Sequence, residues 1–221
     1  MKRAIQITND GSTTIAIPER NITYHSTSGA IGESLHVFIN AGLRFVDTVQ
    51  NIKPIHIFEM GFGTGLNALL SWQYAQQQQI FVDYTALELY PILHQEASAL
   101  NFGESLQMIK ELQQLHSSEW GKSVVLDNHF TLIKLQQSLL ELAANQQFHL
   151  IYFDAFAPND QPELWTKAVF EKMYQMLTPS GVLVTYCCKG EVRRNMIAAG
   201  FTVEKLKGFA NKWEMLRASK L

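Results

Sequence analysis

Three carboxylates stand where apolar segments of this chain run out, each in a position where a ligand can meet it. Glu59 follows the apolar residues 55–58 and opens Glu59-Met60-Gly61-Phe62-Gly63-Thr64-Gly65-Leu66-Asn67. Glu88 lies near the end of the apolar stretch 84–89, and Asp154 directly follows 150–153. An acid and three alternate glycines between a strand and an amphipathic helix make a tight turn. Glycine there supplies positive φ and lets a ligand approach the backbone. The spacing is tighter than the Gly-x-Gly-x-x-Gly of dinucleotide binders. It suits a cofactor whose charged amino-acid end lies over the turn, with no pyrophosphate at the helix start, and S-adenosylmethionine (SAM) is such a cofactor. The alternative is a turn that needs glycine only for its own geometry, because short glycine motifs are weak signals.

Glu88 can accept both ribose hydroxyl hydrogens of an adenosine moiety, whereas a phosphorylated ribose would require a base there. Its alternative is a solvated strand-end glutamate. Asp154 leads Asp154-Ala155-Phe156-Ala157-Pro158, so its carboxylate, walled by Phe156 and Pro158, can hold an amine beside the cofactor. Methyl transfer to nitrogen needs a neutral amine with its lone pair aimed at the methyl carbon. Asp154 can accept an amine N–H, fix that aim and stabilise the charge growing on nitrogen. The same negative charge opposes deprotonation, so the amine is expected to lose its first proton elsewhere or to bind neutral. A helix-capping aspartate is the other reading. Tyr24, Trp165 and Tyr186 can stack a nucleobase near the mouth, or serve as core aromatics. His25 is either a base or hydrogen-bonded scaffolding. Lys189, Arg193 and Arg194 offer phosphate contacts at the start of a helix, or a solvated face.

An alternation of strands and helices positions these residues. Residues 4–8 and 13–17 alternate about Asn9-Asp10-Gly11-Ser12, which predicts an N-terminal hairpin. A polar loop follows at 24–30, then a helix with Leu35, Phe38, Ile39, Gly42, Leu43 and Val46 on one face. Strands are predicted at 55–58, 84–89, 129–135, 150–153 and 182–186, and closing strands near 202–207 and 213–217. Helices are predicted at 66–77, from Pro91, at 163–176 and at 191–199, with a helical insertion over 101–121. The sum is a Rossmann-like α/β fold, a seven-strand doubly wound sheet with an antiparallel last pair. Its ligand lies beyond the strand carboxyl ends, at the switch in strand order. One domain is expected over 1–221, with 1–50 as an N-terminal extension and 51–221 as the core.

A net charge of −2 argues against a strongly basic nucleic-acid binder on composition alone. The distribution is uneven, however. From residue 189 onward eight bases face three acids, a local +5 against −7 for everything before it. A basic end on an acidic body can place a phosphate-binding patch on one face. The only cysteines, Cys187 and Cys188, are adjacent. A disulfide between neighbours is strained, and this pair alone builds no metal motif, so reduced thiols and no metal are expected. Met1-Lys2-Arg3 leads into a strand pattern rather than an apolar signal core, which predicts a cytoplasmic protein without a membrane span.

Several stretches together resemble one family. They are Tyr24-His25-Ser26 through Gly29-Ala30 with Glu33-Ser34, Glu59 through Asn67, and Asp154 through Pro158. Pro162-Glu163-Leu164-Trp165-Thr166, Val192-Arg193-Arg194 and Lys212 with Glu214-Met215 complete the set. The chain resembles the methyltransferase of the MnmC/MnmD family, which methylates the 5-aminomethyl group of (2-thio)uridine at position 34 of tRNA. The resemblance implies SAM bordered by Gly61, Gly63, Gly65 and Asn67, with Glu88 on its ribose and Asp154 on the substrate amine. It implies tRNA as the partner. It also implies a stand-alone form without the FAD-dependent oxidase domain of two-domain relatives, and so no flavin. A functional link to enzymes that install the aminomethyl group would follow. There are two departures. Gln136-Gln137-Ser138 stands where such enzymes usually carry Gly-Asp, leaving Gln137 to meet the adenine edge. Trp213 in Lys212-Trp213-Glu214-Met215 replaces an arginine on the presumed tRNA face, where stacking can take the place of a phosphate contact. The rival readings are a methyltransferase acting on a small-molecule or protein amine, and a binding module without catalysis.

Overall fold

The Asp10-Gly11 turn folds the first two strands onto each other in a computed structural model that describes residues 2–221. Gly11 takes φ +81° and its N–H bonds the Thr8 carbonyl at 3.0 Å, closing the loop between β1 (Ala4–Ile7) and β2 (Thr13–Ile17). A two-residue β3 (Ile22–Thr23) extends this antiparallel sheet, a strand too short to leave an alternation in the sequence.

One continuous helix follows, built from α1 (Ala30–Ser34), a π-helical Leu35–Leu43 and α2 (Arg44–Thr48). The wider π turns change which residues face inward. Val37 is buried along with Phe38, Ile39, Gly42, Leu43 and Val46, while Leu35 is only partly covered. Gly42 is the point of closest approach to the main sheet. A Cβ there would lie 3.1 Å from Val184, 3.2 Å from Tyr152 and 3.3 Å from Leu150.

The main sheet is formed by β4 (Ile55–Met60), β5 (Val82–Glu88), β6 (Ser123–Val125), β7 (Phe130–Gln136), β8 (Phe148–Phe153), β9 (Leu177–Thr185), β10 (Thr202–Lys207) and β11 (Glu214–Ser219). Its order is β10-β11-β9-β8-β4-β5-β7-β6. The five central strands are parallel, and β11 and β10 add antiparallel at one edge. The doubly wound architecture is thus as the sequence predicts, with eight strands rather than seven. The additional β6 is a three-residue edge strand, antiparallel to β7. The chain leaves β4 for β5 on one side and later returns to β8 on the other, so the switch in strand order falls between β4 and β8.

Helices cover both faces: α3 (Leu66–Gln78), α4 (His94–Ser98), α5 (Phe102–Leu106), α6 (Ile109–Ser117), α7 (Lys167–Met176) and α8 (Gly190–Ala198). Pro91 does not start α4. Its carbonyl accepts from Arg3, and the helix begins after Leu93, whose N–H bonds Glu96 Oε2 at 2.7 Å. The expected turn at 178–181 is absorbed into β9, with a register irregularity against β8 and Ser180 at φ +62°. The inserted α6 is anchored by Lys134 of β7, which is buried and donates to the Leu115 and His116 carbonyls at 2.7 and 3.0 Å. An ammonium at a helix C-terminus meets the orphan carbonyls and the negative end of the dipole. Burial lowers its pKa to about 8, and the rings of Trp120 and Phe62 lie beside it. Among the described residues no helix is long and apolar enough to cross a membrane.

Replacing Gly42 by Val should drive branched carbons into Val184, Tyr152 and Leu150. The expected loss is about 1–3 kcal/mol of stability, typical of overpacking. Urea denaturation monitored by circular dichroism reads it, and an unchanged midpoint would show that the helix yields freely.

Candidate functional site

The glycine turn lies at the carboxyl end of β4, where three strand ends are laced together. The N–H groups of Gly61 and Phe62 both bond the Leu87 carbonyl of β5, at 2.9 and 3.1 Å. The Asp154 N–H bonds the Met60 carbonyl at 3.0 Å. Gly61 takes φ +95°, and a Cβ there would stand 2.7 Å from the Asp154 carbonyl oxygen. Any side chain would therefore push β8 away from the turn. Gly63 gives Tyr24 room, its ring lying 3.2 Å from where a Cβ would be.

A cavity of about 540 Å³ opens above these strand ends. On one side it is lined by Gly61, Gly63, Thr64, Asn67, Glu88 and Gln137. Glu88 Oε2 accepts the Gly63 N–H at 3.0 Å and Oε1 the Tyr90 N–H at 2.8 Å. The carboxylate is thereby fixed at the rim between turn and loop. This suits a cofactor with ribose at Glu88 and its amino-acid end over the glycines, which leave backbone exposed where side chains would otherwise fill the space.

The lining continues through Asp154, Glu33, Lys212, Tyr186 and Phe156, with Tyr24 packed between Phe156 and Gly63. Asn67 Nδ2 donates to Asp154 Oδ2 at 2.8 Å, so the first turn of α3 holds the carboxylate of β8. Burial pushes the Asp154 carboxyl up to about 7, with the Asn67 bond and the Lys212 charge pulling it down and Glu33 pushing it up. Glu33, only 7% exposed, pairs with the Lys212 ammonium and accepts the Ser26 N–H at 3.1 Å. Lys212 Nζ also sits 4.8 Å from the Tyr186 ring centroid. The Tyr186 hydroxyl donates to the Ala155 carbonyl at 2.9 Å, and Tyr24 meets Phe156 edge to face at 5.1 Å. Glu33 was missed by reasoning on site chemistry. An acid in a first helical turn reads as a dipole partner, and no pattern ties it to Lys212.

Several expected residues lie elsewhere. Glu59 does not reach the cavity. It is 0% exposed beneath the turn, next to Asn67 and Tyr84, and burial with the neighbouring Asp154 holds its carboxyl well above the usual range. Gly65 (φ +75°) shapes the helix entry against Phe62 without lining the cavity. Trp165 is 3% exposed, with Nε1 bonded to the Phe156 carbonyl at 2.8 Å and its ring among Phe153, Phe170 and Tyr186. It is a core residue and not a stacking surface. Pro158 turns away because Asp160 and Gln161 N–H groups bond back to the Ala157 carbonyl, and Asp160 and Gln161 line the cavity in its place. His25 does line the cavity, but it is tied down there: its Nε2 lies 2.7 Å from the Thr64 hydroxyl, and burial lowers its pKa to about 4.

Lys189, Arg193 and Arg194 stand outside the cavity, on and before the first turn of α8. Lys189 Nζ donates to Asn159 Oδ1 at 2.7 Å, and Arg20 Nη2 to the Asp160 carbonyl at 2.6 Å, so cations flank the loop after Asp154 from two sides. The basic tail is less available than its composition suggests. Lys205 pairs with Glu214 and Arg217 with Glu204, while Lys220 bonds the Tyr174 and Leu177 carbonyls.

Residues 95–221 match the family described as S-adenosyl-L-methionine-dependent methyltransferase. The chain is 31% identical over 218 residues to the tRNA 5-methylaminomethyl-2-thiouridine biosynthesis bifunctional protein MnmC of Cupriavidus necator, covering 91% of this chain and 32% of that protein. It therefore spans about a third of the length of the curated relatives it matches. Among solved structures it is similar to MnmC2 from Aquifex aeolicus, with TM-score 0.82 and 25% identity over 99% of this chain and 70% of that one. Spermidine synthase from Thermotoga maritima shares the fold, with TM-score 0.60 and 14% identity over 99% of this chain and 69% of that one.

Both Glu59 carboxyl oxygens, Asn67 Oδ1 and the Tyr84 hydroxyl are buried without partners. A protonated Glu59 resolves this, donating to Asn67 Oδ1 and accepting from Tyr84. Asn67 is then obliged to turn its Nδ2 toward Asp154. Glu59→Gln can make the same two bonds and should match the parent in thermal melting, whereas Glu59→Ala should lose about 1–3 kcal/mol. Equal losses in both variants would mean that an ionised Glu59 is required.

Proposed function

Since the chain belongs to the S-adenosyl-L-methionine-dependent methyltransferase family, we propose that it methylates a primary amine, the 5-aminomethyl group of a (2-thio)uridine at the wobble position of tRNA. The observation that carries this reading is the pair of fixed carboxylates across one cavity, Glu88 on the donor side and Asp154, tied by Asn67, on the acceptor side. Bound between the glycine turn and Glu88, SAM supplies an electrophilic methyl carbon on a sulfonium. Gly61, Gly63, Asn67, Glu88 and Gln137 would hold it.

The acceptor side can then be read residue by residue. A carboxyl near 7 is a far better proton acceptor than an ordinary aspartate, so Asp154 takes the first proton of the substrate ammonium and releases it to water. Asp154 thus offers a route for that proton in addition to loss elsewhere or binding of the neutral amine. As a carboxylate again, Asp154 accepts an amine N–H and aims the nitrogen lone pair. The N–C bond forms as the S–C bond breaks, its electron pair staying on sulfur. The positive charge growing on nitrogen is met by Asp154 in a site of low dielectric. Tyr24 and Phe156, set edge to face, line the cavity where the uracil ring would lie, so one ring offers it a face and the other an edge. Arg20, which lines the cavity, and Lys189, which is tied to Asn159, flank the loop after Asp154 and suit phosphates on either side of the extruded nucleotide, with Arg193 and Arg194 following on α8. No flavin takes part in this transfer.

A second reading has its own observation. Glu33, Asp154, Asp160 and Glu163 all line the acceptor side, and such acidity also suits a small polyamine. Incubation with radiolabelled SAM and either tRNA bearing 5-aminomethyluridine or free polyamines separates the two, label at position 34 being the expected result. Transfer to tRNA should fall steeply with added salt, as phosphate contacts require. Transfer to polyamine alone would overturn the tRNA reading.

Two further outcomes are expected. Asp154→Ala should lose turnover by on the order of 100-fold or more, with SAM affinity by calorimetry unchanged; an equal collapse of SAM binding would make Asp154 a structural cap. Activity should fall as pH drops through about 7, because protonated Asp154 can neither take a proton nor meet the growing charge. Glu33→Gln removes a charge that raises the Asp154 pKa, so the acid limb of kcat should move to lower pH. A limb that stays in place would assign it to another group.

A further inference from the structure

The hairpin between β10 and β11 carries a tryptophan that folding does not use. Trp213 is 93% exposed, whereas Trp72 and Trp165 are buried and Trp120 is partly covered. The loop that presents it is nonetheless well tied. The Gly208 N–H bonds the Trp213 carbonyl at 3.2 Å, and the Lys212 N–H bonds the Phe209 carbonyl at 2.9 Å. Phe209 packs beside His36 and against Gly32 of α1, and His36 Nε2 lies 2.7 Å from the Lys207 carbonyl. The exposure of the indole is therefore a property of an anchored turn.

Its position adds the second half of the argument. Lys212 sends its ammonium into the cavity, to Glu33 and over Tyr186. Trp213 is the next residue and lies just outside the lining, on the acceptor side. Around it are the exposed Ala210 and Asn211 and the exposed cation Lys207, while the Lys212 ammonium is spent on Glu33 inside the cavity. A protein partner would need a contiguous apolar patch, which one ring among polar neighbours does not offer. A flat ring beside a cation suits a base carried on a phosphate backbone.

We propose that Trp213 is a stacking platform for an unpaired nucleobase of RNA, neighbouring the nucleotide whose base enters the cavity. The proposal rests on the tRNA reading above and adds its contact on the hairpin side. It also gives the tryptophan at this position a purpose distinct from a phosphate contact.

The test uses the full chain and an unmodified anticodon stem-loop RNA at fixed low salt, reading tryptophan fluorescence and filter retention in parallel. The parent should bind with saturable quenching. Trp213→Phe should bind nearly as well, with most of the quenching gone. Trp213→Ala should bind roughly 5- to 100-fold more weakly, with SAM affinity unchanged as the check on folding. Unaltered RNA affinity in Trp213→Ala together with undiminished quenching would overturn the stacking role and leave the tRNA reading standing. If the parent binds neither this RNA nor whole tRNA, the tRNA reading fails and the stacking proposal fails with it.

Discussion

The site depends on one close approach, between the glycine turn after β4 and the backbone that leaves β8. Met60 and Asp154 are joined by a backbone hydrogen bond, and Gly61 has no Cβ to contest the space occupied by the Asp154 carbonyl. Two donors of the same turn converge on the Leu87 carbonyl of β5. In the proposed reaction the donor and acceptor sides are consequently set by main-chain geometry, before any side chain is considered. A methyl group moves along a short line, and a shift of about 1 Å at the reacting centre is enough to lose much of the rate. Strand ends in a buried parallel sheet are among the few places that hold such a distance.

Around that fixed pair, side-chain polarity is graded. Asp154 has one ordered neutral donor in Asn67 and a charged pair, Glu33 and Lys212, farther along the wall. Burial penalises its anion while these partners only partly restore it, which leaves the carboxyl near neutrality. Beneath it, Glu59 is pushed the same way, well above the usual carboxylate range, by burial and by the neighbouring Asp154. The two strand-end acids differ in access to the cavity, which Asp154 lines and Glu59 does not reach.

How much of this could be read in the sequence follows from which forces are local. The Asp-Gly hairpin, the strand–helix alternation and the glycine turn are written in short-range periodicity and backbone preference, and the fold confirms them. Glu88 and Asp154 line one cavity because both stand at strand ends, which are recognisable, and the family match agrees with the cofactor class. The failures share a cause. Nearness in sequence to strand ends points to Trp165, Pro158 and Glu59, but a short 3₁₀ turn at Pro162–Trp165, the bonds back to the Ala157 carbonyl and strand alternation, respectively, keep them out of the cavity. Glu33 and the consumption of the basic tail by Glu204, Glu214 and two backbone carbonyls are long-range pairings, which no local pattern encodes. The π-helical stretch likewise shifts Val37 inward in a way that ordinary helical periodicity does not anticipate.

The ion pair between Glu33 and Lys212 joins residues from near opposite ends of the sequence. The wall from β4 through Glu88 is one contiguous strand–helix–strand unit held by a shared ladder of backbone hydrogen bonds. The Glu33–Lys212 contact has no such ladder, since it joins a helix of the N-terminal extension to the β10–β11 hairpin through side chains alone. One half of the cavity is therefore rigid by backbone and the other by a single charge pair, so neutralising either partner loosens one wall and leaves the other in place.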